Sequence, residues 1–197
     1  MQHKSKSSYI GPLSPEFALL GLLYQEPAHG YELHQRLVYD LGQVWHVSQS
    51  QTYNILNRLE NQGYIQGVQK EQKKLPNRRQ FHLTESGRGR FLEWLHSPAG
   101  SSVRAVRVEF ITRLYFASNT ETVSGDKIID LQEEEIRVGL DRLRKVRDEV
   151  PAESVYNHLG LDLRIRQLES MLTWLEKCRV AIKTNSTKYE KNTSLTG

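Results

Sequence analysis

Apolar side chains first recur at helical spacing from residue 14 to about residue 25. Phe17, Leu20 and Tyr24 mark one stripe, which Leu19 and Leu23 widen. Ser14 before Pro15 reads as an N-cap with proline at the first helical position, and Glu16 puts an acid in the first turn. Pro27 ends this helix. A second predicted helix starts near Gly30, carries Leu33, Leu37, Val38 and Leu41 on one face, and has Gly42 as its C′ residue. A third opens on Ser48-Gln49-Ser50-Gln51, a capping box, because a serine oxygen can accept the N3 amide while the N3 glutamine reaches back. Its inward positions are Thr52, Ile55, Leu56 and Leu59, and Gly63 closes it. The period then shortens to two. Residues 64–68 and 79–83 read as short strands around a polar tip at 69–78. Thr84 caps a fourth helix carrying Phe91, Leu92, Trp94 and Leu95.

The segment 98–102, Pro-Ala-Gly-Ser-Ser, is the predicted domain boundary. Beyond it the pattern is helical again. Val103, Val106, Phe110, Leu114 and Ala117 form one stripe, and Val108, Ile111 and Tyr115 a second, as expected of a helix packed on two sides. A helix of about 25 residues follows, from Thr122 or Ser124 to just before Pro151. The last helix places Leu161, Ile165, Leu168, Leu172, Leu175 and Ile182 in an a/d rhythm, with Arg179 in its gap. Leu161, Ile165, Leu168, Leu172 and Leu175, with Phe110, are the predicted dimer contacts: neither long helix is needed to close the N-terminal core, and a second copy of the chain would cover their apolar seams. The predicted organisation is a disordered arm at 1–13, a winged helix-turn-helix domain at 14–97, a helical dimerisation domain at 103–182, and a disordered Thr-, Asn-, Ser- and Lys-rich tail at 183–197. The fold class is mainly α with a small β-hairpin wing: a winged helix-turn-helix followed by an antiparallel helical dimerisation region.

Composition narrows the function classes. The chain has 197 residues, a net charge of +4 and 38% hydrophobic residues, enough for a core. Mean hydropathy is −0.60. No apolar run approaches the roughly 20 residues a membrane helix needs, so no membrane partner is expected. No signal-type apolar stretch follows residues 1–8, and Cys178 is the only cysteine. A reduced, cytoplasmic protein is therefore expected. The seven histidines are scattered without a ligand-pair spacing, so no metal is expected. No phosphate loop, nucleophile elbow or paired-carboxylate motif appears, and residues 133–135, three glutamates, read as a charged helix face. Neither a cofactor nor an enzymatic activity is expected.

Three helices and a hairpin point to nucleic acid. An α-helix fits the major groove, and the side chains of its N-terminal half reach base edges. The candidate recognition helix is 48–61. Its outward positions are Ser50, Gln51, Asn54, Asn57, Arg58 and Asn61, beside Tyr53 and behind the cap Ser48. Amide side chains can pair bidentately with adenine, and Arg can pair with guanine or hold phosphate. Gln51 can equally be no more than the capping box, and Asn57 and Asn61 no more than a solvated face. The hairpin tip carries Lys70, Lys73, Lys74, Arg78 and Arg79 against Glu71 alone. That excess of charge suits phosphate contacts.

The ordered set of motifs resembles the PadR family of transcriptional regulators. It comprises Leu13-Ser14-Pro15-Glu16-Phe17-Ala18-Leu19-Leu20-Gly21-Leu22-Leu23, then Pro27-Ala28-His29-Gly30-Tyr31-Glu32-Leu33, Val47-Ser48, Tyr53, Leu56-Asn57-Arg58-Leu59-Glu60 and Gly63-Tyr64-Ile65. It closes with Arg78-Arg79, Phe81-His82-Leu83-Thr84 and Gly87-Arg88. Two positions depart: Asn54 stands where many members carry proline, and Phe81 where tyrosine is usual. The resemblance implies a homodimeric winged-helix repressor of the branch with a long C-terminal helical region, bound to a double-stranded operator, an inverted repeat. It also implies a small aromatic effector, for which Trp94 and Trp174 are the candidate pocket residues; plain core packing is the competing reading of both. A protein-binding adaptor is the alternative function, since winged helices also serve as interaction modules.

Overall fold

The computed structural model describes residues 14–70, 78–120 and 122–193. The chain divides into two compact units between Ser97 and Pro98. The arm at 1–13 lies outside the described residues.

The first unit is built around α1 (Glu16–Gln25), in which every residue from Phe17 to Leu23 is buried. Pro15, not Ser14, is its cap residue, and the Ser14 hydroxyl accepts the Glu16 N–H at 3.4 Å. A two-residue strand β1 (Ala28–His29) leads into α2 (Gly30–Leu41), and α3 (Gln49–Asn61) follows. Gly42 after α2 is right-handed (φ −64°), so it is not the left-handed C′ residue expected. Gly63 after α3 does take the left-handed conformation, at φ 75°, which glycine alone adopts without steric cost. Strands β2 (Ile65–Lys70) and β3 (Arg78–Leu83) pair antiparallel, with Ile65 opposite Leu83 and Gly67 opposite Phe81. β1 pairs with the other edge of β3, giving the order β1-β3-β2. Two residues carry no readable alternation, so the sequence pattern gives no sign of this third strand. Thr84 caps α4 (Glu85–Leu95), its hydroxyl accepting the Gly87 N–H at 3.1 Å.

Trp94 belongs to this core. Its ring stacks on Phe17 at 4.8 Å between centroids, and the residue is 1% exposed. That removes it from any solvent-reachable pocket, as the packing reading holds.

The second unit begins with α5 (Val103–Ala105), a π-helical stretch (Val106–Phe110) and α6 (Ile111–Ser118). Two long helices follow, α7 (Gly125–Glu149), capped by Ser124, and α8 (Val155–Thr193). The expected tail at 183–197 is instead helical through Thr193. Between Gly160 and Gly197 there is neither proline nor glycine, so nothing in the backbone halts propagation. The Gln132 side chain ties the start of this unit to α7: it accepts the Ala99 N–H at 2.9 Å and donates to the Ala99 carbonyl at 3.1 Å.

The residues read as dimer contacts are satisfied within one chain. Leu161, Ile165, Leu168 and Leu175 are buried, as are Ile129, Ile136, Leu140 and Leu143 of α7, and the two helices cover each other. Leu172 is half-buried, and the buried Phe110 meets the Trp174 ring edge-on at 5.8 Å. Trp174 thus packs in the second unit and Trp94 in the first. Arg179 fills its gap in the seam by binding Asp126, Asp130 and Glu133 of α7 at 3.0–3.2 Å.

The π stretch also buries a charge pair that the apolar stripes concealed. Glu109 and Arg113 are 6% and 3% exposed, with Nη1 to Oε2 at 3.1 Å. Burial pushes the Glu109 carboxyl up, against the pull of Arg113, and draws the Arg113 guanidinium down to about 10. Removing Arg113 takes from the buried Glu109 carboxylate the guanidinium that faces it. Arg113→Met is expected to lower stability by about 3–5 kcal/mol, while Glu109→Leu with Arg113→Met should be near neutral or stabilising. Chemical denaturation followed by circular dichroism measures both.

Candidate nucleic-acid interface

The helix-turn-helix is held by a few polar bonds around a sealed core. Ser48 caps α3: its hydroxyl accepts the Gln51 N–H at 3.2 Å, and the Gln51 side chain accepts the Ser48 N–H at 2.9 Å. This is the capping box expected from sequence. Thr52, Ile55, Leu56 and Leu59 are buried. Thr52 does more than fill space, because its hydroxyl lies 3.0 Å from Nδ1 of His34 on α2 and donates to the Ser48 carbonyl at 3.2 Å. A threonine within an apolar stripe was the only hint of that bond.

The other face of α3 is open. Ser50, Gln51, Asn54, Asn57, Arg58 and Asn61 are all exposed. Tyr53 is 38% exposed, and its ring covers the start of α2, where a Cβ on Gly30 would lie 2.7 Å from the ring. Gly30 is therefore a packing requirement of Tyr53. Tyr53, Asn57 and Arg79 come together in an open cleft of about 570 Å³, lined also by Tyr31, Gln35 and Phe81.

Two of the predicted DNA-contacting cations already have carboxylate partners. Arg58 donates to Glu16 of α1 at 3.0 Å, and Arg90 of α4 donates to the other oxygen of the same carboxylate at 2.7 Å. Burial works against the Arg90 charge, but the bond to Glu16, the Glu16 charge and Tyr64 together hold Arg90 above its ordinary value. Glu16 thus joins three helices, whereas its position in the sequence suggests only a favourable charge in the first turn. Arg79 of β3 pairs with Glu60 of α3. Lys73 and Lys74 lie outside the described residues, as does the side chain of Arg78.

Other chemistry is sparse. Among the described residues no group of three or more His, Cys, Asp or Glu is placed to hold a metal ion, and no helix is long and apolar enough to cross a membrane. Cys178 is half-buried, and burial pushes its thiol up to about 11, far from a reactive thiolate at neutral pH.

Comparison with known proteins matches residues 19–93 to the transcriptional regulator PadR-like family. The N-terminal unit is a PadR-like family domain. Residues 106–183 match a second family, the virulence activator alpha C-terminal domain. The chain is 32% identical over 111 residues to the Bacillus subtilis negative transcriptional regulator PadR, a match spanning 52% of this chain and 56% of that protein. It is 24% identical over 186 residues to the Mycobacterium tuberculosis protein named "Probable transcriptional regulator Rv1176c", covering 84% of this chain and 95% of that one. Among solved structures, Bacillus subtilis PadR in complex with operator DNA aligns at 25% identity over 83% of this chain and 94% of that one, with a TM-score of 0.41. A PadR-like transcriptional regulator from Bacillus cereus aligns at 22% identity over 87% and 99%, with a TM-score of 0.38. The family is one of transcriptional regulators, and the motifs from Leu19 to Arg88 fall within the matched residues.

The capping box gives a direct test of the PadR-like domain. Ser48→Ala should cost about 1 kcal/mol of stability, because the Gln51 amide loses its acceptor, and Ser48→Asp should restore most of it. Urea titration of the three proteins measures this.

Proposed function

We propose that the chain is a homodimeric, operator-binding transcriptional repressor that reads bases with α3 and grips phosphates with its hairpin. The observation that carries this is the division of α3: four residues sealed into the core, a bonded cap, and one open face of amides and hydroxyls. Apart from Arg58, tied to Glu16, and Gln51, held in the capping box, that face stays open among the described residues, and its side chains suit base edges. The cations at the hairpin tip suit the flanking strand. The related Bacillus subtilis protein is a negative regulator, and its structure was determined with operator DNA. An operator with two-fold symmetry follows from a dimer, since each copy would place one α3 in a major groove. Work in the cytoplasm fits this role. Arg58, tied to Glu16, supports the placement of α3 more than base reading, so Asn54 and Asn57 become the foremost base-contact candidates.

The proposed dimer contact lies on a different face of α8 from the a/d seam. The a/d seam of α8 is occupied by α7, but Tyr156, Leu159 and Leu163 stand exposed on other faces of the same helix, at 89%, 62% and 58%. A second chain laid along α8 would cover them.

Asn54→Ala should weaken binding to a duplex selected from a random library by about 1–3 kcal/mol and leave binding to scrambled duplex unchanged. Equal loss on both would mean phosphate contact alone. Lys73→Ala, Lys74→Ala and Arg78→Ala together should weaken binding to every duplex and lower the salt slope by about 1 per lost contact. For the dimer, Leu159→Asp with Leu163→Asp should give a folded monomer in sedimentation at micromolar concentration. A dimer of unchanged strength would place the interface elsewhere.

A further inference from the structure

Three elements meet at one carboxylate oxygen beside the recognition helix. Glu60, on the C-terminal half of α3, accepts the Gly67 N–H of β2 at 2.9 Å through Oε1. The Arg79 guanidinium of β3 donates to the same oxygen. β2 is an edge strand, so the Gly67 amide faces outward from the sheet and takes its acceptor from α3. Arg79 reaches Glu60 by lying across Gly67, where a Cβ would stand only 2.2 Å from the arginine Nε. The guanidinium also sits over the Phe81 ring, 5.5 Å from its centroid. The absent side chain of Gly67 is therefore part of the contact.

This arrangement is unexpected on a surface that meets DNA. A carboxylate there repels phosphate, and it also neutralises a cation that would otherwise attract it. Resting on the DNA-binding reading above, we infer that Glu60 is a positioning residue for DNA recognition, locking the base of the hairpin against the recognition helix although its own charge opposes binding. The bond sets the spacing between the base-reading face and the phosphate-gripping hairpin. A chain without it would bind DNA more readily and choose among sequences less well.

That combination of signs is the test. The full chain is titrated over a range of salt against two duplexes, one selected by the unaltered protein from a random library and one scrambled. Glu60→Gln frees Arg79, so affinity for the scrambled duplex should rise about threefold and the salt slope should steepen by about 1. Affinity for the selected duplex should fall, bringing the ratio of the two down about tenfold. An equal rise on both duplexes, or no change on either, overturns the inference and leaves Glu60 a repelling charge. Glu60→Asp keeps the charge but withdraws it by one methylene. It should lower the ratio without any gain on scrambled DNA. Arg79→Gln with Glu60→Gln should lower the ratio no further than the larger single effect, since both break one contact. Hydrogen exchange at the Gly67 amide reports on the bond without DNA. It should quicken in Glu60→Asp and stay close to normal in Glu60→Gln, whose amide oxygen still accepts; unchanged exchange in Glu60→Asp overturns the contact itself. If the unaltered chain selects no duplex, the DNA-binding reading and the role assigned to Glu60 fall together, whereas a failed ratio test removes that role alone.

Discussion

A helix with no polar side must be enclosed, and α1 is such a helix. Seven consecutive residues from Phe17 to Leu23 are buried, so α2, α3, α4 and β3 are obliged to surround it. Each of them turns its own apolar stripe toward α1 and thereby its other side to solvent. The open face of α3 is thus a consequence of burying α1. Trp94 stacked on Phe17 closes the same core from α4.

Around this core, arginine–carboxylate pairs fix how elements meet. Glu16 joins α1 to both α3 and α4, Glu60 joins α3 to β3, and Arg179 joins α8 to α7 through three acids. Most of these are partly solvated, so each adds little to stability. Their contribution is geometric: a planar guanidinium between carboxylate oxygens tolerates few arrangements, and the apolar packing beneath would tolerate more. The face that meets DNA in the proposed function consequently holds fewer free cations than its sequence suggests.

What the sequence discloses follows from the range of each interaction. The helices, the capping box of Ser48 and Gln51 and the two hairpin strands rest on neighbours a few residues apart, and the pattern shows them. Glu16 with Arg58 and Arg90, Thr52 with His34 and Glu60 with Arg79 join residues distant in the chain, and no local pattern encodes them. The a/d seam of α8 was legible as a seam, but its occupant was not. An apolar stripe records that something covers it, and α7 was as good a candidate as a second chain. β1 leaves no trace in the pattern because two residues carry no period.

The π-helical stretch explains the two overlapping stripes between residues 103 and 117. An α-helix advances about 100° per residue, and a π turn takes in one residue more before the chain continues in the same direction. Before the stretch the burial falls on Ala105; within it, on Val106, Val108, Glu109 and Phe110; beyond it, on Thr112, Arg113, Phe116 and Ala117. The stretch acts as a frameshift in the helix surface, altering which side chains face inward while the axis runs on. A π turn carries one residue more than an α turn needs, so losing one between Val106 and Phe110 would leave an ordinary α turn with the inner face of α6 unchanged, whereas losing one within α6 would turn every residue beyond it by about 100°.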